Sequence, residues 1–345
     1  MNKFTSTEIN PTGAFLSAAL LVAVSVFWPG PLCSAPADNP NTSLGRFALH
    51  QDEVVVFTGG ANMVASQQTA FLESLLTAAF AQRDARFRSL AWEGDTVFEQ
   101  RREMNFGSWH EQLRRVKATL IFAQFGQMES FQGAASLPQF IHAYGKLLDQ
   151  FSNETPRIVL LSPTPFEKPK PPLPDMSRRN DDVRLYAEAV RDLARARGCW
   201  FVDLFTPFRD RPANAPPLTS DGLQLTSAGH WLMAREIASQ LGFLPLTAPI
   251  DANLAVGTLM PETAEHLRQV IQAKNRLWFD YWRPMNWAFL HGDRTEQPSS
   301  RDHRDPKIRW FPDEMEKFLP LIEAKEKEIT RITASMPSGR VGNLK

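Results

Sequence analysis

The sequence predicts an α/β protein, a doubly wound three-layer parallel sheet with a helical C-terminal extension. Three observations predict it. Short apolar runs ending at Gly or Pro recur along residues 48–245. Amphipathic stretches of helical spacing separate them, and no tight hairpin signal joins one run to the next. Strands that cannot turn straight back cross over through helices, which makes them parallel, covered on both faces and apolar throughout.

The elements follow in order. Val54-Val55-Val56-Phe57 reads as a buried strand closed by Gly59-Gly60. From Met63 to Phe80 the spacing predicts one helix with Phe71, Leu72, Leu75, Leu76 and Phe80 on its apolar side. Arg86 to Trp92 is a second strand, Ala118 to Phe125 a third and Arg157 to Ser162 a fourth, stopped by Pro163. Leu137 to Phe151 is helical, and Asp181 to Gly198 is a helix with Gly as its stop signal. Trp200 to Leu204 is the last strand, and Thr226 to Leu241 the last helix of the series, capped by Thr226 or Ser227. Ligands of such sheets bind beyond the carboxyl ends of the strands. The loops after Phe57, Trp92, Phe125, Ser162 and Leu204 are therefore where chemistry is expected.

Composition narrows the functions. The chain has 345 residues, 43% hydrophobic, with 38 acidic and 38 basic side chains. That supplies a large core and no net field toward nucleic acid or an anionic membrane. The apolar run Ala14–Trp28 is followed by Pro29-Gly30-Pro31 and by a small-x-small site, Ala35-Pro36-Ala37. This order predicts a signal peptide over 1–37 and a secreted or periplasmic protein; an uncleaved membrane anchor is the alternative. No transmembrane segment is expected after cleavage, which would leave Cys199 as the one cysteine, read as a packed apolar residue. No His, Cys or carboxylate set has metal-ligand spacing and no Cys-x-x-Cys-His is present, so no metal, haem or other cofactor is expected.

Four blocks at the strand ends carry the functional signal: Phe57-Thr58-Gly59-Gly60-Ala61-Asn62, Glu93-Gly94-Asp95-Thr96-Val97, Phe125-Gly126-Gln127-Met128-Glu129-Ser130, and Asp221-Gly222-Leu223-Gln224-Leu225. In order and spacing they resemble the blocks of the SGNH/GDSL hydrolase superfamily, over roughly residues 50–243. Phrases such as NFGSWHEQL, FVDLFTP and LTSAGHWLMA look like a bacterial, planctomycete-like branch of it. The resemblance implies a flavodoxin-like sheet and an ester-hydrolysing lineage. It also implies a nucleophilic Ser in the first block, an oxyanion hole from that Ser, a Gly and an Asn, and an Asp-x-x-His base pair in the last. A hydroxyl attacks a carbonyl only when a base takes its proton and preorganised donors meet the oxyanion.

Aligned on those blocks, Ala61 stands at the nucleophile position, Met128 at the Asn donor and Gln224 at the base; Gly94 and Asp221 match. Loss of a triad nucleophile or base costs about a millionfold in turnover, and one oxyanion donor roughly a hundred- to thousandfold. Gly60, Asn62 and Glu129 are candidate ligand-binding neighbours. Glu129 and Asp221 are also read as loop-holding acceptors, with that role slightly ahead. His230 lies nine residues beyond Asp221, inside the last helix, and is read as a packing residue.

Beyond Leu246 the rhythm stops, and 246–345 reads as a helical, aromatic-rich extension. Glu262 to Trp282 is a helix carrying Lys274-Asn275 and then Trp278, Phe279, Tyr281 and Trp282. These rings either dock the extension or, for Trp278 and Trp282, form a stacking platform for sugar rings. Pro312 to Thr330 is a charged helix, a solvated face or a contact for a protein partner. The expectation is a non-catalytic protein that binds an acylated glycan or small ester. The alternatives are an active carbohydrate-type esterase using another arrangement and a structural cell-envelope interaction protein.

Overall fold

The computed structural model describes residues 44–336, apart from 101, 103, 104 and 213. The segment read as a signal peptide lies outside them. Among the described residues the elements run β1 (Val54–Gly59), α1 (Ala61–Thr69), α2 (Phe71–Ala79), β2 (Arg86–Ser89), α3 (Trp109–Val116), β3 (Leu120–Gln124), α4 (Leu137–Ser152), β4 (Ile158–Leu161), α5 (Asn180–Arg197), β5 (Trp200–Val202), α6 (Phe205–Arg209) and α7 (Ser227–Gln240). Then come β6 (Asp251–Asn253), β7 (Thr258–Met260), α8 (Glu262–Trp282), α9 (Trp310–Glu316) and α10 (Phe318–Ser335).

The five-stranded sheet is parallel, in the order β2-β1-β3-β4-β5. Alternate strand residues face opposite layers, as a period of two requires. Val55, Phe57, Phe122, Val159 and Leu161 pack under α1, α2 and α7. Val56, Ile121, Ala123, Ile158 and Leu160 pack against α3, α4 and α5. The order reverses between β1 and β3, so the crevice beyond their carboxyl ends is the topological switch point where such folds take ligands. No helix of the described residues is long and apolar enough to cross a membrane.

The single helix expected over Met63–Phe80 is two. Ala70 adopts the left-handed conformation, φ 56°, and its buried methyl packs with Leu267 and Ile271 of α8. The carbonyls released at the break are met by α8: Asn275 Nδ2 donates to Gln67 O at 3.2 Å, Gln272 Nε2 to Gln68 O at 2.5 Å and Arg268 Nη1 to Thr69 O at 3.0 Å. A local helical period carries no sign of partners two hundred residues away, which is why the sequence shows one continuous face. The helix expected over Pro312–Thr330 is likewise α9 and α10, parted at Lys317. The antiparallel pair β6–β7, joined through Gly257 at φ 69°, has no counterpart in the sequence reading.

The extension covers the β2 edge of the sheet, where unpaired backbone groups invite aggregation. Trp278 Nε1 donates to Ser89 O at 2.8 Å at the end of β2, and Trp282 Nε1 to Gln112 Oε1 on α3 at 3.2 Å. Lys274, 1% exposed, reaches Glu73 Oε1 at 2.6 Å and Phe87 O at 3.3 Å, while Asn275 Nδ2 donates to the other Glu73 oxygen at 3.0 Å. The Lys-Asn-x-x-Trp stretch is thus the set of polar anchors that seats α8.

Candidate active site

The first block is shaped by close approach of backbone. Gly59, at φ 138°, passes so near β3 that a β-carbon there would lie 2.5 Å from Gln124 O. Gly60 is extended and starts α1 without a side-chain cap, leaving the first N–H groups, those of Ala61 and Asn62, at the crevice. The Asn62 side chain is bonded within the protein: Oδ1 accepts from Leu225 N at 3.0 Å and Nδ2 donates to Leu223 O at 3.4 Å. It ties α1 to the Asp221–Leu225 loop.

The remaining loops are fastened to one another by side chains. Glu129, 3% exposed, accepts from Val97 N and Gly126 N, each at 2.8 Å, and so joins the loops after β2 and β3. Burial raises its pKa against those N–H contacts, which lower it. Gln127 Nε2 donates to Thr164 O and Oγ1, both at 3.0 Å, joining the loops after β3 and β4. Asp95 is paired two-pronged with Arg102 at 2.7 Å, and burial still raises its pKa. The guanidinium of Arg102 stacks 4.6 Å from the Trp92 ring centre and that of Arg283 at 3.8 Å; Arg283 also pairs with Glu93 at 2.8 Å. The C-terminal end of α8 therefore braces one wall of the crevice.

What results is an open cleft of about 560 Å³. It brings together Gly60, Ala61, Asn62, Gly94, Met128, Glu129 and Gln224 from the sequence reading. Met128 is 48% exposed in it. Asp221 does not line the cleft; its Oδ1 accepts from Leu223 N at 2.9 Å and Gln224 N at 2.7 Å, holding its own loop. Sequence reasoning missed Gln68, Gln124, Gln127, Thr96 and Thr164, which add amides and hydroxyls to the lining. Thr96 and Gln127 lie inside the blocks and Gln124 beside one, while Gln68 and Thr164 carry no local signal. Among the described residues lining the cleft there is no serine, cysteine or histidine.

Two expected ligand contacts are corrected. Trp278 and Trp282 are 4% and 6% exposed, and their ring N–H groups are committed to Ser89 and Gln112. Their faces pack inside the layer formed with α3 and α4, so they dock α8 and offer no platform for a sugar. Asn62 and Glu129 line the cleft, yet their polar atoms serve the loops. His230 sits in α7 as expected of a packing residue, 2% exposed, and is not part of the cleft. Cys199 is buried, and burial pushes its thiol up to about 11, so it is no thiolate. Among the described residues no group of three or more His, Cys, Asp and Glu could hold a metal ion.

The part played by Glu129 gives a direct expectation. Glu129→Gln keeps the shape but turns one acceptor into a donor facing a backbone N–H. The loss expected is about 1–3 kcal/mol, read by urea unfolding. A variant as stable as the parent would remove Glu129 from this loop-joining role.

The family model described as GDSL-like lipase/acylhydrolase matches residues 57–232. Among solved structures, the chain is similar to Axe2, an acetylxylan esterase from Geobacillus stearothermophilus. The identity is 17%, over 57% of this chain and 97% of that one, with a TM-score of 0.46. It is also similar to LAE5, an alpha/beta hydrolase enzyme from the metagenome of Lake Arreo, Spain. There the identity is 18%, over 58% and 99%, with a TM-score of 0.45. No curated protein matches the chain.

Proposed function

The chain belongs to the GDSL-like lipase/acylhydrolase family, and from that membership we propose a protein that binds an acylated glycan or small ester without hydrolysing it. One observation carries the reading. The cleft at the switch point is open and lined with amides and hydroxyls, and it includes Ala61, Met128 and Gln224, the residues that align with the nucleophile, amide donor and base of the sequence blocks. A methyl group cannot attack a carbonyl, and a primary amide takes no proton near neutral pH. The N–H groups at the start of α1 and the Gln224 amide remain to meet carbonyl and hydroxyl oxygens.

A working esterase would have to draw its base from another group. Glu129 favours that reading by its raised pKa at the cleft floor. Both of its oxygens already accept backbone N–H bonds, so a proton taken there would weaken one of them. This leaves the binding reading ahead. We place the protein outside the cytoplasm, secreted or periplasmic, on the Ala14–Trp28 run and the Ala35-Pro36-Ala37 site. The test is to titrate the protein with acetylated oligosaccharides and short-chain aryl esters while following acid release. Saturable binding without release supports the proposal; release that depends on this protein's own cleft residues refutes it.

A further inference from the structure

A second cavity, of about 180 Å³, lies away from the cleft, between α3, α8 and α9. Its lining is in part apolar, with Phe106, Trp282, Leu290, Pro312 and Met315. The rest of the lining is Arg115, Arg309, Tyr281, His291 and Glu316. The charges there do not balance. Glu316 serves Arg115, at 3.7 Å, and the Tyr281 hydroxyl links the two, accepting from Arg115 Nη2 at 2.6 Å and donating to Glu316 Oε1 at 3.2 Å.

Arg309 has no such carboxylate. Among the described residues its one acceptor is Phe289 O, 2.5 Å from Nη2, and its Nε is buried without a partner. His291 adds no balancing anion. Burial lowers its pKa, a backbone contact with Asn105 opposes this, and the Arg115 and Arg309 guanidiniums lower it further. The cavity thus has two fixed cations and one anion.

We propose that this cavity binds a small carboxylate with a short apolar tail, its head on Arg309 and Arg115 and its tail against Trp282, Leu290 and Met315. A guanidinium with a free edge matches the planar two-oxygen head of a carboxylate. A buried guanidinium nitrogen without an acceptor carries a desolvation cost that such a head would relieve. The apolar part of the lining favours an organic acid over a bare inorganic anion, which would leave it uncovered. The site is independent of the reading of the cleft.

The experiment is calorimetric titration of the full chain with butyrate and benzoate, against inorganic phosphate and chloride at matched ionic strength. Saturable binding of the two organic acids is expected, with no saturation by phosphate or chloride. Arg309→Gln is expected to weaken it by about tenfold or more. Arg115→Gln, at a half-exposed side chain, is expected to weaken it several-fold. Absence of saturation, a preference for phosphate, or binding unchanged in both variants would overturn the proposal.

Discussion

Replacing Lys274 with methionine is expected to cost about 3–5 kcal/mol of stability, the loss that follows when one partner of a buried ion pair is removed. Lys274 is 1% exposed and Glu73 5%, on α8 and α2. Their contact at 2.6 Å is supplemented by Asn275 on the carboxylate and Phe87 O on the ammonium. Burial lowers the Lys274 pKa, and the Glu73 carboxylate opposes that shift. Without the ammonium, the buried Glu73 carboxylate keeps one amide donor, Asn275. Removing both charges, as Glu73→Leu with Lys274→Met, takes away the uncompensated ion and is expected to recover most of the loss. Urea unfolding of the parent, the single variant and the double variant reads this. A single variant within about 1 kcal/mol of the parent, or a double variant no better than the single one, would contradict it. The consequence reaches the cleft, because α8 also meets the carbonyls of α1 and braces the Trp92–Glu93 loop through Arg283.

The second large effect is acid sensitivity at His230. Its ring is 2% exposed, neither nitrogen has a partner, and burial lowers its pKa to about 4. The unfolded chain binds a proton there near the ordinary histidine value of about 6.5. The folded pKa is the lower one, so this contribution is complete above about 6.5 and is lost as pH falls from there to about 4. The span is worth about 3 kcal/mol. Glu129 and Asp95, whose pKa values burial raises, act in the opposite sense and gain stability as pH falls. His230→Leu removes the histidine contribution alone. It is expected to flatten the difference between parent and variant above pH 6.5 into one widening steadily below it. The variant is also expected to gain about 1–3 kcal/mol at neutral pH from removal of two unpaired buried nitrogens. Parallel acid dependence in the two proteins would contradict the assignment.

Much of this was legible in the sequence because the signals are local. The first four strands of the parallel sheet were each marked by a run closed at Gly or Pro, and Gly198 closes α5 in the left-handed conformation as its position implies. The cleft was legible for the same reason, since Gly60, Gly94 and Met128 follow strands β1, β2 and β3 and Gln224 lies in the last block before α7. What was hidden depends on distant partners. The break at Ala70 follows from side chains of α8, and the burial of Trp278 and Trp282 from the edge of β2. Side-chain commitments were hidden too: nothing local says that Asn62 faces Leu225 or that Glu129 spans two loops.

The central claim is that the cleft holds a ligand and lacks the means to break an ester. The measurement that tests it most directly is acid release from acetylated oligosaccharides and short-chain aryl esters by the purified protein. Asp221→Ala and Glu129→Ala serve as controls for release by contaminants. The account predicts no turnover above the buffer rate in any of the three. Turnover by the parent that disappears in either variant would contradict it, because it would show that this protein, and not a contaminant, breaks the ester.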